Sequence, residues 1–144
     1  MIRRAEAEDI SAVAALANKL WPGHEPQELE GEYAQLLEGG ESALFLATEG
    51  EVPVGFAQCQ LRHDYVEGTE SSPVGYLEGI YVAPCCRGRG IAGALLQSCE
   101  AWAKGRGCRE FASDCELSNA ASLQFHLKLG FTEANRIICF TKTL

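Results

Sequence analysis

Twelve residues near the middle of the chain narrow what it can fold into: Val82-Ala83-Pro84-Cys85-Cys86-Arg87-Gly88-Arg89-Gly90-Ile91-Ala92-Gly93. The residues leading into them, Val74 to Val82, read as a buried strand in which Gly79 permits a bulge or a close backbone approach. Those that follow place Ile91, Leu95, Cys99 and Trp102 on one face of a long helix, expected over Gly88 to Lys104. A chain passing from strand through a glycine turn into a helix presents unpaired amides and the positive end of a helix dipole. Glycines there let a phosphate approach the backbone. The segment therefore predicts an anion site, with Arg87 and Arg89 either adding charge-assisted contacts or standing in solvent.

The flanking sequence switches between the helical and the strand period. Ile10, Val13, Ala17 and Leu20 recur at helical spacing over residues 8–20, and Leu29, Tyr33, Leu36 and Leu37 do so over Pro26 to Glu38, closed by Gly39-Gly40. Ala43 to Thr48 and Val52 to Leu61 read as strands joined at Glu49-Gly50-Glu51, and His63 to Pro73 as a polar loop. Beyond the central helix a strand is expected over Cys108 to Asp114. A last helix follows from about Ser118 to Leu129, capped by Ser118 or Asn119, and Phe131 to Thr143 should return as one or two strands. At 144 residues this is one α/β domain with a mixed sheet, spanning 1–144.

The formal charge of −8 is unevenly spread: residues 1–51 hold 11 acids and 3 bases, residues 52–144 hold 9 of each. Binding to nucleic acid or to an anionic membrane needs clustered Lys and Arg, so both are excluded as partners and a polycation is favoured. The bland alternative makes Glu25, Glu28, Glu30 and Glu32 a solvated helix face. Seven cysteines, Cys59, Cys85, Cys86, Cys99, Cys108, Cys115 and Cys139, form no CxxC pair and no disulfide framework. Reduced thiols, no bound metal and a cytoplasmic location are expected, in keeping with an N-terminus that lacks the apolar run of a secretory leader.

Two phosphate motifs compete for the glycine turn. Gly88, Gly90 and Gly93 satisfy GxGxxG, and Asp114 lies 21 residues beyond Gly93, as in a dinucleotide fingerprint. That fingerprint opens a doubly wound domain, whereas here 87 residues precede Gly88 and 51 follow Gly93. A P-loop is excluded because no Lys-Ser or Lys-Thr closes the turn. Arg87-Gly88-Arg89-Gly90-Ile91-Ala92, with Ile80-Tyr81-Val82 and Pro84 before it, instead resembles the R/Q-x-x-G-x-G/A acetyl-coenzyme A loop of the GCN5-related N-acetyltransferase family. Asn119 and Leu129-Gly130-Phe131 resemble that family's second cofactor-facing helix. The resemblance implies the family fold, a mixed and mostly antiparallel central sheet flanked by helices. It also implies that acetyl-coenzyme A is held by Ile80, Tyr81, Val82, Arg87, Gly88, Arg89, Gly90, Ile91, Ala92, Gly93 and Asn119.

Leu20-Trp21-Pro22-Gly23-His24, Arg62-His63-Asp64-Tyr65-Val66, Ser71-Ser72-Pro73, Leu77-Glu78-Gly79-Ile80 and the run from Gly107 to Asp114 resemble the type I aminoglycoside 6'-N-acetyltransferase branch of that family. The resemblance implies that Trp21, His24, Tyr65, Glu78 and Asp114 bind an aminoglycoside, that the acetyl group passes directly to its 6'-amine in a ternary complex, and that the chain is a homodimer conferring antibiotic resistance. Acetyl transfer to an amine that arrives protonated needs a base, and Glu78 and Asp114 are the candidate catalytic carboxylates, Glu78 the better placed. Backbone groups of Ile80 to Val82 can pair with an extended ligand as a strand adds to a sheet edge.

Departures from the family pattern are His126, where many members carry a tyrosine that protonates the leaving thiol, and the neutral Asn135. Cys115, His126 and Asp114 raise a thiol-nucleophile alternative. Three further readings compete: acetyl transfer to another small polyamine or a protein amine, a nicotinamide-dependent oxidoreductase using the three glycines, and a non-catalytic coenzyme A sensor.

Overall fold

The strand Ser42–Glu49, β2, is buried over six consecutive residues, which requires cover on both its faces. The computed structural model, which describes residues 1–144, supplies that cover. Leu44 and Leu46 point with Phe56 to one side, into a cluster with Val13, Ala17, Leu29 and Tyr33. Ala43, Phe45 and Ala47 point with Ala57 and Cys59 to the other, against Leu95, Leu96 and Cys99. Helices α1 (Ile10–Leu20) and α2 (Pro26–Gly39) form the first layer and α3 (Ile91–Gly105) the second.

Strands β1 (Ile2–Arg4), β2, β3 (Val52–Arg62), β4 (Val74–Val82) and β5 (Phe111–Ala112) lie side by side in chain order. All pairs are antiparallel except β4 with β5. Helix α4 (Ala120–Lys128) completes the element order. This is the expected mixed, mostly antiparallel sheet flanked by helices. It lacks the run of parallel strands that a doubly wound dinucleotide domain requires.

Local chemistry accounts for the boundaries. Gly50 at φ 60° turns the β2–β3 hairpin, and Gly40 at φ 72° stops α2 in the left-handed conformation. Ahead of α1, the Asp9 carboxylate takes Arg3 at 2.6 and 2.8 Å and the Glu6 amide at 2.9 Å. The hydrogen bonds from Arg3 hold its pKa down at about 2, and they tie the N-terminal strand to the first helix.

Three expectations are corrected. The central helix begins at Ile91 and not at Gly88, because Gly88 and Gly90 sit at φ 79° and 80°, outside the helical region. The strand expected over Cys108 to Asp114 shrinks to Phe111–Ala112, since β4 pairs with it only at Gly75 and Tyr76. The segment expected to return as strands after Phe131 forms none. Phe131 packs on the core, but Ile137, Ile138 and Phe140 are exposed, and no strand of this chain lies alongside to take their ladder hydrogen bonds.

Gly79 meets its expectation in both respects. The β3–β4 register shifts so that Gln58 faces Gly79 and Cys59 faces Leu77, which leaves Glu78 as the extra, bulged residue. A side chain on Gly79 would lie 2.3 Å from the Trp21 ring, so the indole rests on bare backbone.

Candidate active site

The parting of β4 from β5 shapes the site. Beyond Tyr76 the outer edge of β4 has no strand neighbour, so the backbone from Leu77 to Val82 borders an open fork. One end of that fork runs to the start of α3. There the first helical bond is Ala94 N to Gly90 O at 3.0 Å, and no acid occupies the first turn. The amides of Ile91, Ala92 and Gly93 are the helix's orphan donors, and the left-handed Gly88 and Gly90 open the turn in front of them. This cradle fits a diphosphate.

Not every residue expected here is free to take part. Arg87 Nε donates to Val82 O at 2.8 Å, so one carbonyl of the open edge is occupied. Arg89 reaches Glu49 at 2.6 Å and Cys85 O at 3.2 Å, which offsets part of its charge. Asn119 is the cap of α4, its side-chain oxygen accepting from Ser122 N at 3.0 Å, so local helix geometry accounts for its acceptor atom.

At the other end the side chains form one chain of contacts. Glu78 Oε1 accepts from Arg62 Nε at 3.1 Å and Nη2 at 2.8 Å. The Arg62 guanidinium lies 3.4 Å above the centroid of the Tyr76 ring, and the Tyr76 hydroxyl donates to Asp114 Oδ2. Arg62 faces Val74 in the β3–β4 register, so its long side chain runs along β4, over Tyr76, to reach the bulged Glu78. Burial, and then the bond to Asp114, push the Tyr76 phenol well above its usual pKa, which keeps it a donor. Both predicted carboxylates are thus held by residues that sequence reasoning passed over. Their signal was present: residues 74, 76 and 78 alternate onto one face of a strand.

Glu78 opens into a cavity of about 280 Å³ walled by Trp21, His24, Glu32, Tyr33 and Gln58. Trp21 is fixed there by Gly79 beneath it and by an edge contact to Phe56 at 6.3 Å. Trp21, His24 and Glu78 therefore meet as expected. Tyr65 and Asp114 do not line this cavity: Tyr65 is 77% exposed on its loop, and Asp114 lies across Tyr76 on the segment after β5.

The His126 ring is accounted for on both nitrogens. Nδ1 lies 2.7 Å from Ser122 O, and a carbonyl only accepts, so Nδ1 carries the proton. Nε2 lies 2.8 Å from Ser113 Oγ, and Phe125 and Phe131 flank the ring at 5.4 and 5.1 Å. Cys115 is exposed, and the hydrogen bonds of the imidazole go to Ser113 and Ser122 and not to the thiol, so the thiol-nucleophile arrangement is not assembled. Asn135 donates to Glu67 Oε1 at 2.9 Å. No group of three His, Cys, Asp or Glu residues is positioned to hold a metal ion.

Comparison with known proteins places this geometry. Residues 10–131 match the model of the acetyltransferase (GNAT) family. The chain is 46% identical to an aminoglycoside N(6')-acetyltransferase type 1 of Stenotrophomonas maltophilia, over 99% of this chain and 93% of that one. It is 40% identical to one of Serratia marcescens, over 100% and 99%. Among solved structures, aminoglycoside N-acetyltransferase AAC(6')-Iy in complex with the bisubstrate analogue CoA-S-monomethyl-acetylneamine superposes with a TM-score of 0.96 at 38% identity, covering 100% of this chain and 98% of that one. With its fork, its amide cradle and its full-length relatives in agreement, the chain belongs to the acetyltransferase (GNAT) family.

Proposed function

We propose that the protein transfers the acetyl group of acetyl-coenzyme A to the 6'-amine of aminoglycoside antibiotics, by direct attack within a ternary complex. The observation that carries this reading is Glu78. It bulges out of β4 into a cavity shared with Trp21 and one further acid, Glu32, with Oε1 tied to Arg62 and Oε2 free of any partner, at the fork whose far end is the α3 amide cradle. Relatives matched over nearly their whole length carry this activity in their names, and AAC(6')-Iy is solved with coenzyme A.

The residues then divide the work. Amides of Gly88, Gly90, Ile91, Ala92 and Gly93 hold the diphosphate, with Arg87 and Arg89 beside them. The open edge of β4 at Ile80 to Val82 takes the extended arm as an added strand, and an amide there faces the reacting carbonyl oxygen. Acetyl-coenzyme A would supply an activated acyl group: as the amine nitrogen bonds to its carbonyl carbon the thioester C–S bond breaks, and coenzyme A leaves as the thiol with the second proton that the nitrogen gives up. Glu78 Oε2 accepts the ammonium proton, directly or through one water, while Arg62 keeps the carboxylate from swinging away. Asp114, aimed by Tyr76, holds a second ammonium, and Trp21 and His24 wall the sugar. Loss of the 6'-ammonium weakens the drug's hold on anionic RNA, which is the physical basis of resistance.

We further infer that residues 1–144 act as one domain in a cytoplasmic homodimer. Seven unpaired cysteines suit a reducing compartment, and no helix is long and apolar enough to cross a membrane. The exposed Ile137, Ile138, Phe140 and Leu144 offer an apolar strip that a second copy covers. Sedimentation should give twice 15.6 kDa, and I138K with F140K should halve it.

Thiol release in an acceptor panel tests the activity. Aminoglycosides bearing a 6'-amine should be turned over, and those with a 6'-hydroxyl should not. Equal rates on both groups remove the regiochemistry. Thermal stabilisation by coenzyme A without turnover of any acceptor supports the sensor reading instead.

A further inference from the structure

The cavity beside Glu78 continues into another. Past three shared residues, Glu32, Leu36 and Gln58, a second cavity of about 440 Å³ follows the groove between the C-terminal half of α2 and the start of β2. Its volume lies in the range of small-molecule sites, roughly 300–1,000 Å³. The walls change character along the way. Around Glu78 half of the lining residues are hydrophobic, whereas in the groove Leu36 stands alone among Gln35, Glu41, Ser42 and the shared Glu32 and Gln58.

Ser42 offers the groove a polar group on the α2 face of β2. The residue is only 4% exposed, its side chain lines the groove, and its hydroxyl makes no hydrogen bond within the chain. The one buried side-chain polar atom left without a partner is Asn18 Oδ1, so the Ser42 hydroxyl is reached by solvent through the groove and is free to pair with a ligand hydroxyl or ammonium arriving there. The amides of Gln35 and Gln58 are likewise without partners in the chain, and Glu32 has no ion pair. Glu41 takes His63 at 2.9 Å through Oε2 only. Neutral donors and acceptors, an unpaired carboxylate and one apolar wall together match a ring carrying hydroxyls and an ammonium.

We propose that this groove is an extension subsite for the amino-sugar ring of the acceptor farthest from the acetylated amine. The inference rests on the reading of the Glu78 cavity as the acceptor site, and deepens it by naming what selects longer acceptors. Ser42 and Gln35 hydrogen-bond ring hydroxyls, Glu32 and the free oxygen of Glu41 attract the ring's ammonium, and Leu36 lies against its apolar face.

Two acceptors of different length test it, with thiol release as the readout: neamine, which has two rings, and kanamycin, which has three. The S42A and Q35A double variant should raise KM for kanamycin about five- to tenfold, with kcat for both acceptors and KM for neamine changed less than twofold. Conversely Q35E, which adds a charge to the groove, should lower KM for kanamycin several-fold and leave neamine alone. Equal changes for the two acceptors, or none for either, overturn the subsite. Failure of the unaltered protein to release thiol with either acceptor overturns the acceptor reading itself, and the subsite with it.

Discussion

The two ends of the fork are made of different material. Where α3 begins, the expected ligand meets main chain: orphan amides, two left-handed glycines and an open strand edge. Around Glu78 it meets side chains gathered from the link between α1 and α2, from α2, β3 and β4, and from the segment after β5. A backbone site depends on conformation and tolerates many side chains, so its chemistry stays the same for one carrier molecule. A side-chain site depends on who neighbours whom, and can be retuned residue by residue for different acceptors. Substitutions at the two ends should therefore fail in different ways.

The largest effect is expected at Glu78. E78Q removes the base and should lower kcat by about 10²- to 10⁴-fold, with stabilisation by coenzyme A intact in a thermal shift assay. A loss below tenfold places the base elsewhere. Next comes G90V. A β-branched residue at φ 80° costs about 1–3 kcal/mol and distorts the amide cradle, so KM for acetyl-coenzyme A should rise roughly 10- to 100-fold while KM for the acceptor stays put. If both Michaelis constants move together, the two ends are not separable.

Y76F sharpens the acceptor end. It keeps the ring beneath Arg62 but drops the bond to Asp114, and kcat/KM for a multiply charged acceptor should fall about tenfold. A variant with unaltered kinetics removes Asp114 from the binding surface. R89A is smaller still. Its exposed pair with Glu49 contributes little, and a change of less than fivefold in KM for acetyl-coenzyme A is expected, because the amides and not the guanidinium hold the diphosphate.

Asp9 lies outside both ends and should leave turnover unchanged. Its carboxyl is held down at about 2 by Arg3, against about 4 in the unfolded chain, so the stabilisation is present above pH 4 and lost as pH falls toward 2. D9N should cost about 2 kcal/mol in urea melts at pH 7, with the gap to the unaltered protein closing as the pH falls between 4 and 2. A gap that does not narrow over that window would show that the Arg3 pair is not its source.

Legibility followed the same division. The coenzyme end was readable because its determinants are contiguous: strand, glycines and helix occupy one stretch from Val74 to Gly105. At the acceptor end only the carboxylates and aromatic residues carried by resemblance were named. Arg62 was missed because its role depends on the β3–β4 register, and Tyr76 because its partner Asp114 is 38 residues away. The strands expected after Phe131 failed for a related reason. The apolar run from Ile137 to Phe140 is real, but a ladder needs a neighbour that this chain does not provide.

The linear order of residues determined the secondary-structure periods and the phosphate-receptive turn, since each arises from neighbours within a few positions. Gly79 marked where the strand could bulge or be closely approached, but folding decided that Glu78 would be the bulged residue, that Trp21 would be the ring on Gly79, and that one arginine would span a strand to hold the carboxylate. Hydrophobic period and backbone conformation are local properties. Side-chain partnership across a sheet is set only when the strands come into register.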